Sequence, residues 1–251
     1  MIGRLCWILV LTLVLAGCSH VAAPTKSAIA DVNPDGCGRL ENDQELLINL
    51  SRELVADGRL HAALANLESL PEHLPMVRLH KARILRLLGD RKAEGMYRSL
   101  LDTCLAAAGH HGIGQIAAAD GRYQDAFERL RTAASLTPVD AAVRNDLGLV
   151  LMHLGRFNEA RFELITAFEL NEDNSQPLEN LLTLLIYQGL WQEASALVDK
   201  RGLSPEQFQV AEERARKLHL PQLLNESDMR KNSGKGVIQY RLQPIEAENV
   251  P

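Results

Sequence analysis

Apolar and small residues along the middle of this chain follow a grammar that repeats. Large apolar residues stand at Leu60, Tyr123, Phe157 and Trp191. Each has a glycine two positions before it (Gly58, Gly121, Gly155, Gly189) and an alanine three positions after it (Ala63, Ala126, Ala160, Ala194). Gly89 keeps the rhythm, but Arg91 holds the place of its apolar residue and Ala93 comes one position early. The intervals between these five glycines are 31, 32, 34 and 34 residues. Such a period, with this internal spacing, predicts stacked helical hairpins with a glycine at each turn.

The two most regular copies span residues 107–140 and 141–174. In each, an apolar residue is followed by a small one midway along the first helix, as Ile113-Gly114 and Leu147-Gly148. The small residue allows the partner helix to approach closely. The turn glycines suit a backbone with positive φ. The aromatic at Tyr123 or Phe157 is expected to pack back onto the first helix. The alanines, continued by Ala133 and Ala167, permit tight helix crossing. Pro138 stops one hairpin and starts the next link.

By these residues the chain resembles the tetratricopeptide repeat family. Residues 175–208 make a further copy, with Leu181, Gly189, Trp191 and Ala194, departing from the pattern at Leu182 and Arg201. Residues 44–74 make another, through Leu50-Ser51, Gly58, Leu60, Ala63 and Leu67; residues 75–106 are the weakest. The resemblance implies an all-α fold, a right-handed superhelix of about five helix-turn-helix repeats within residues 40–220. A single hairpin cannot bury its apolar face alone, so neighbours must stack and the last needs a cover. Ser204-Pro205-Glu206-Gln207 reads as a helix start with a capping box. The helix it opens, 204–219, is expected to act as the cap, with Phe208, Ala211, Ala215 and Leu218 inward and Glu212, Glu213, Arg216 and Lys217 outward.

The ends of the chain carry other signals. Arg4 precedes an apolar run, Leu5 to Val14, that is short for a bilayer span. Leu15-Ala16-Gly17-Cys18 then resembles the lipobox of bacterial lipoproteins. That resemblance implies a signal peptide over 1–17 and a lipidated Cys18 as the anchor, with more than one acyl chain for stable binding. Ser19 replaces the aspartate of an inner-membrane retention signal, which points to the periplasmic face of the outer membrane. Residues 18–39 form a tether with Pro24 and Pro34. Residues 221–251 read as a largely disordered tail; the alternative is a strand over Val237-Ile238-Gln239-Tyr240-Arg241-Leu242 added to a partner's sheet edge.

Once Cys6 and Cys18 are assigned, Cys37 and Cys104 remain. An even pair in an oxidising compartment is consistent with a disulfide, the alternative being two unconnected thiols. The formal net charge is −5 with 24% charged residues, and no basic stripe interleaved with aromatics points to nucleic acid. No catalytic, cofactor or metal constellation emerges, and no small-molecule substrate is implied. The adjacent His110 and His111 diverge on a helix, so they chelate poorly. Gly112-Ile113-Gly114 lacks the strand and third glycine of a dinucleotide loop. The reading is therefore non-enzymatic.

The family resemblance places the first helix of each pair on a concave wall that binds peptide segments. Carried over, the partner-binding positions are His111, Gln115, Asn145, Leu149, Met152, His153, Glu179, Thr183 and Tyr187. The run Val143-Arg144-Asn145-Asp146-Leu147-Gly148-Leu149-Val150-Leu151-Met152-His153-Leu154-Gly155-Arg156-Phe157, with Glu159-Ala160-Arg161-Phe162-Glu163-Leu164, resembles the TadD family, the repeat lipoproteins of tight-adherence (Flp) pilus assembly. This implies a scaffold whose partners are the pilus secretin or other assembly components. Alternatives of the same fold are an adaptor for peptidoglycan hydrolases or periplasmic proteases, and a component of outer-membrane protein assembly.

Overall fold

The computed structural model describes residues 40–218. The chain divides into two units, Met1–Glu41 and Asn42–Pro251. Only residues 40 and 41 of the first are described, so the helical fold is that of the second. The signal peptide, Cys18, the tether, Cys37 and the tail over 221–251 all lie outside the described residues.

The second unit is helical throughout its described length. Its helices pair as α1 (Asn42–Ala56) with α2 (Leu60–Glu68), α3 (Pro75–Leu87) with α4 (Lys92–Arg98), α5 (Ala106–Ala119) with α6 (Tyr123–Leu136), α7 (Ala141–His153) with α8 (Phe157–Leu170), and α9 (Gln176–Tyr187) with α10 (Trp191–Arg201). A last helix, α11, covers 205–218. Each of α1 to α10 packs on its neighbours in sequence within that set. The first helices of successive pairs also touch, α1 on α3, α3 on α5, α5 on α7 and α7 on α9. The first helices thus form one continuous wall, and the second helices fan out behind it.

The hairpin turns share one geometry. At the end of α5 the N–H of Gly121 donates to Ala118 O at 3.0 Å, and that of Arg122 to Ala117 O at 2.9 Å. The end of α7 repeats this through Gly155 and Arg156. These two bonds close a Schellman turn, whose outer residue needs a left-handed backbone. Gly121 has φ 74° and Gly155 φ 72°, and the other three ladder glycines match them.

Helix starts are equally local in origin. Asp140 caps α7 by accepting the N–H of Ala142 and of Val143. The capping box of α11 forms in both directions: Ser204 N–H donates to Gln207 Oε1 at 2.8 Å, and Gln207 N–H to Ser204 Oγ at 3.2 Å. Ala211 and Ala215 are buried under that helix, with Phe208 and Leu218 packed against the same core. Of the residues expected outside, Glu213, Arg216 and Lys217 are exposed and Glu212 is half-buried.

The small residues do what their spacing predicts. Ala63, Ala126, Ala133, Ala160, Ala167 and Ala194 are wholly buried. A methyl on Gly148 would lie 2.8 Å from Leu164 Cγ, and one on Gly114 2.7 Å from Leu130 Cγ. The glycines therefore admit the facing leucines between α7 and α8 and between α5 and α6.

The second hairpin follows the rule in altered form. Ala93 is buried as in the other copies, and four residues on stands Tyr97 where the others have Leu67, Leu130, Leu164 and Val198. The larger ring needs room, and α5 supplies it at Gly112, where a Cβ would fall 2.2 Å from Tyr97 Cε1. Gly109 similarly faces the Tyr97 carbonyl oxygen. The Gly-rich start of α5 is thus a seat for one tyrosine.

The aromatics also reach beyond their own hairpins. Tyr123 stacks on His153 at the end of the next first helix, ring centroids 4.1 Å apart and planes 6° apart. Phe157 meets Tyr187 across the next junction in a tilted contact, at 5.4 Å and 56°. They join one repeat to the next, in addition to lying against the shared core. Trp191 remains 43% exposed.

Candidate protein-binding wall

The wall formed by α5, α7 and α9 carries most of the positions expected to bind a partner. His111 and Gln115 lie one helical turn apart on α5, so both side chains reach towards α7. There His111 Nε2 and Gln115 Nε2 each meet Asp146 Oδ2 at 2.7 Å. An ionised carboxylate only accepts, so the imidazole proton sits on Nε2. Asp146 Oδ1 accepts from the amide of Asn145 at 3.2 Å. Asn145 Oδ1 accepts in turn from Asn180 Nδ2 of α9 at 2.8 Å.

A second polar group follows on α9. Glu179 Oε1 accepts from Ser175 Oγ at 3.0 Å and from Gln207 Nε2 of α11 at 2.9 Å. Its other oxygen lies 3.8 Å from Arg214 Nη1. Thr183 Oγ1 donates back to the Glu179 carbonyl at 2.8 Å. One polar line thus runs from α5 across α7 to α9, and Glu179 ties α9 to the cap.

The electrostatics follow from this packing. Burial acts to raise the Asp146 carboxyl, but hydrogen bonds from His111, Gln115 and Asn145 outweigh it and hold the group below its ordinary value. Partial desolvation of the His153 ring, one face of which stacks on Tyr123, pushes its pKa down. His110 is lowered by burial and by nearby Arg129, and its Nδ1 is buried without a hydrogen bond.

The expected groove residues divide into two sets. His111, Gln115, Leu149, Glu179 and Tyr187 are half-buried, and His153 is exposed, so these present atoms to a partner. Asn145 (6% exposed), Met152 (7%) and Thr183 (3%) are buried and support the wall from within. They are corrected from contact residues to struts: the first helices pack against one another, which closes the flank that the repeat pattern assigns to the groove. Met152, His153 and Tyr187, with Leu218 of α11, enclose a small cavity of about 50 Å³.

Asp146 was not among the expected residues, although four side chains of the line depend on it or on its neighbour. Its signal in sequence is a carboxylate 35 residues beyond His111, one repeat further along, where an acceptor meets the donor. Cys104 lies exposed between α4 and α5 and is disulfide-bonded. Cys37, its expected partner, is outside the described residues.

Among the described residues the His111–Asp146 pair serves to join α5 to α7. No group of three His, Cys, Asp or Glu that could hold a metal occurs among them.

Comparison with known proteins agrees with the geometry. A tetratricopeptide repeat model matches residues 117–185. Over 184 residues the chain is 45% identical to the TPR repeat-containing protein PA4299 of Pseudomonas aeruginosa, covering 73% of this chain and 75% of that one. Among solved structures, the thermophilic TPR protein TTC0263 of Thermus thermophilus aligns with a TM-score of 0.57 at 23% identity, over 70% of this chain and 99% of its own. Pseudomonas aeruginosa pilF aligns with a TM-score of 0.54 at 19% identity, over 76% and 88%.

Proposed function

The chain belongs to the tetratricopeptide repeat family, and on that premise we propose that it is a lipid-anchored scaffold of a tight-adherence (Flp) pilus machine. In this reading Cys18 fixes it to the periplasmic face of the outer membrane, where it assists the secretin. It is non-enzymatic and binds peptide segments of its partner along the wall of α5, α7 and α9.

The observation that carries the scaffold part is that wall. Half-buried His111, Gln115, Glu179 and Tyr187 are each held by a neighbour in the fold. A peptide therefore meets donors and rings whose rotamer entropy is already spent. The pilus part is supported by the resemblance of residues 143–164 and by the lipobox sequence at 15–18.

The test is a strain lacking this gene, assayed for surface pili and for SDS-resistant secretin multimers. Loss of both, restored by the wild-type chain and not by Cys18→Ser, is the expected result. Normal pili and multimers in the deletion strain refute the pilus role. Lipid labelling that persists in Cys18→Ser refutes the anchor.

A further inference from the structure

The first hairpin keeps residues for a neighbour that no described helix supplies. Twelve positions before their turn glycines, the later first helices carry Val77, Gly109, Val143 and Pro177; eight positions before stand Lys81, Ile113, Leu147 and Leu181. All eight are buried. Each of those helices has the second helix of the preceding hairpin packed on it, from α2 on α3 to α8 on α9. The matching places on α1 hold Leu46 and Leu50, which are 67% and 42% exposed. Among the described residues no helix precedes α1. The sequence of the tether, with Pro24 and Pro34 in it, carries no glycine, apolar and alanine pattern of a hairpin that could provide one.

The two ends of the stack differ. At the C-terminal end α11 buries Ala211 and Ala215 and turns Glu213, Arg216 and Lys217 to solvent, the polar outer face that a terminal element needs. At the other end Asp43, Leu46, Leu50, Glu53 and Asp57 follow one another at steps of three and four residues, so they share one face. All five are exposed. Two leucines are thus flanked by three carboxylates, none of which forms an ion pair with another described residue. Arg52, the one base on α1, lies on a different flank, near His80 of α3.

We propose that this end of the stack docks a basic amphipathic helix of a partner protein, which packs on α1 as α6 packs on α7. In that internal pair Phe127 and Ala134 of α6 share one buried cluster with Val143 and Leu147. The incoming helix lays a similar apolar stripe on Leu46 and Leu50 and sets Lys or Arg at its flanks against Asp43, Glu53 and Asp57. A second copy of this chain fits the face less well, because two such stripes bring carboxylates against carboxylates. The surface shares no residue with the wall of α5, α7 and α9. The inference goes beyond the pilus reading and does not depend on which machine the scaffold serves.

Fluorescence anisotropy with the full-length chain tests it. The probe is a fluorescein-labelled peptide of residues 122–137, the α6 segment, carrying Asp125→Lys and Glu128→Lys. Its counterpart keeps those two acids and carries Arg122→Glu, Arg129→Glu and Arg131→Glu. The basic peptide should bind, weaken with added salt, and exceed the acidic one by about tenfold or more. In the protein, Leu46→Gln combined with Leu50→Gln leaves the net charge unchanged; it should keep the helical circular dichroism and lose about tenfold or more in affinity. Glu53→Lys should lose about threefold. Binding of neither peptide, equal binding of the two, or full binding by the leucine variant overturns the proposal. So does sedimentation velocity in which the wild-type chain dimerises and the leucine variant does not, which assigns the face to a second copy.

Discussion

Asn180 Nδ2 donates to Asn145 Oδ1 at 2.8 Å across the junction of α9 and α7, with both side chains buried. The two residues are 35 apart, about one repeat, so the bond ties neighbouring hairpins and neither hairpin could form it alone. A buried amide that loses its partner keeps its desolvation penalty. Asn180→Leu should therefore destabilise the domain by about 1–3 kcal/mol. The double variant Asn145→Leu/Asn180→Leu should lose less than the sum of the two single changes, because no amide is then stranded. Thermal unfolding followed by circular dichroism checks both; simple additivity would deny the coupling.

The seat of Tyr97 gives a reciprocal test. Gly112→Ala puts a methyl into the ring and should cost roughly 1–3 kcal/mol through overpacking, even though alanine favours a helix by about 1 kcal/mol over glycine. Tyr97→Leu installs the residue type found at the matching place in three of the other four hairpins. Combined with Gly112→Ala it should recover most of the loss. Failure of Tyr97→Leu to rescue would show that the glycine serves something other than this ring.

His80 makes the domain sensitive to mild acid. Burial, with the charges of Arg83 and Arg52 nearby, lowers its pKa from 6.5 to about 4. The unfolded chain thus binds this proton at a higher pH than the folded one. Stability is undiminished above pH 6.5, falls as the pH drops towards 4, and loses about 3 kcal/mol in all from this group. His80→Phe should flatten melting temperature against pH in that window; an unchanged slope would refute the assignment. Asp146 acts lower on the scale. Its carboxyl is held below 3.8, so its contribution is present above that value and is lost as the pH falls through the folded-state value.

The hairpin grammar was legible in sequence because its causes are local. A turn that needs positive φ selects glycine, and a close helix crossing selects alanine or glycine, within a few residues of each other. The polar line was less legible. Its bonds join residues about one repeat apart, and the pattern marks such positions only as facing the wall. Asn145 and Thr183 read as groove contacts for that reason, and packing between first helices buried them instead.

A disulfide joining Cys104 to Cys37 is expected from the cysteine count. Peptide mapping by mass spectrometry after alkylation without reductant should recover the two as one linked species. Two separately alkylated thiols in the mature chain would refute it.

The half-buried part of the wall predicts where partners bind. Leu149→Glu and Tyr187→Asp should weaken capture of secretin or other pilus components by about tenfold or more, with helicity retained. Asn145→Asp should act through stability, since its side chain is buried. Unchanged capture by the Leu149 and Tyr187 variants would move binding away from this wall.

Sequence alone determined the number and phase of the hairpins, their turns, the small residues between paired helices and the start of the cap. All of these rest on backbone preference or on contacts within a few dozen residues. Tertiary structure decided which wall residues face outward, that Asp146 gathers His111 and Gln115, and that Tyr97 takes its space from Gly112. It also decided that Leu46 and Leu50 stay exposed where the later hairpins bury the matching positions. Those outcomes depend on how one repeat stacks on the next. The spacing within a repeat specifies that stacking only on average, and individual side-chain volumes settle it.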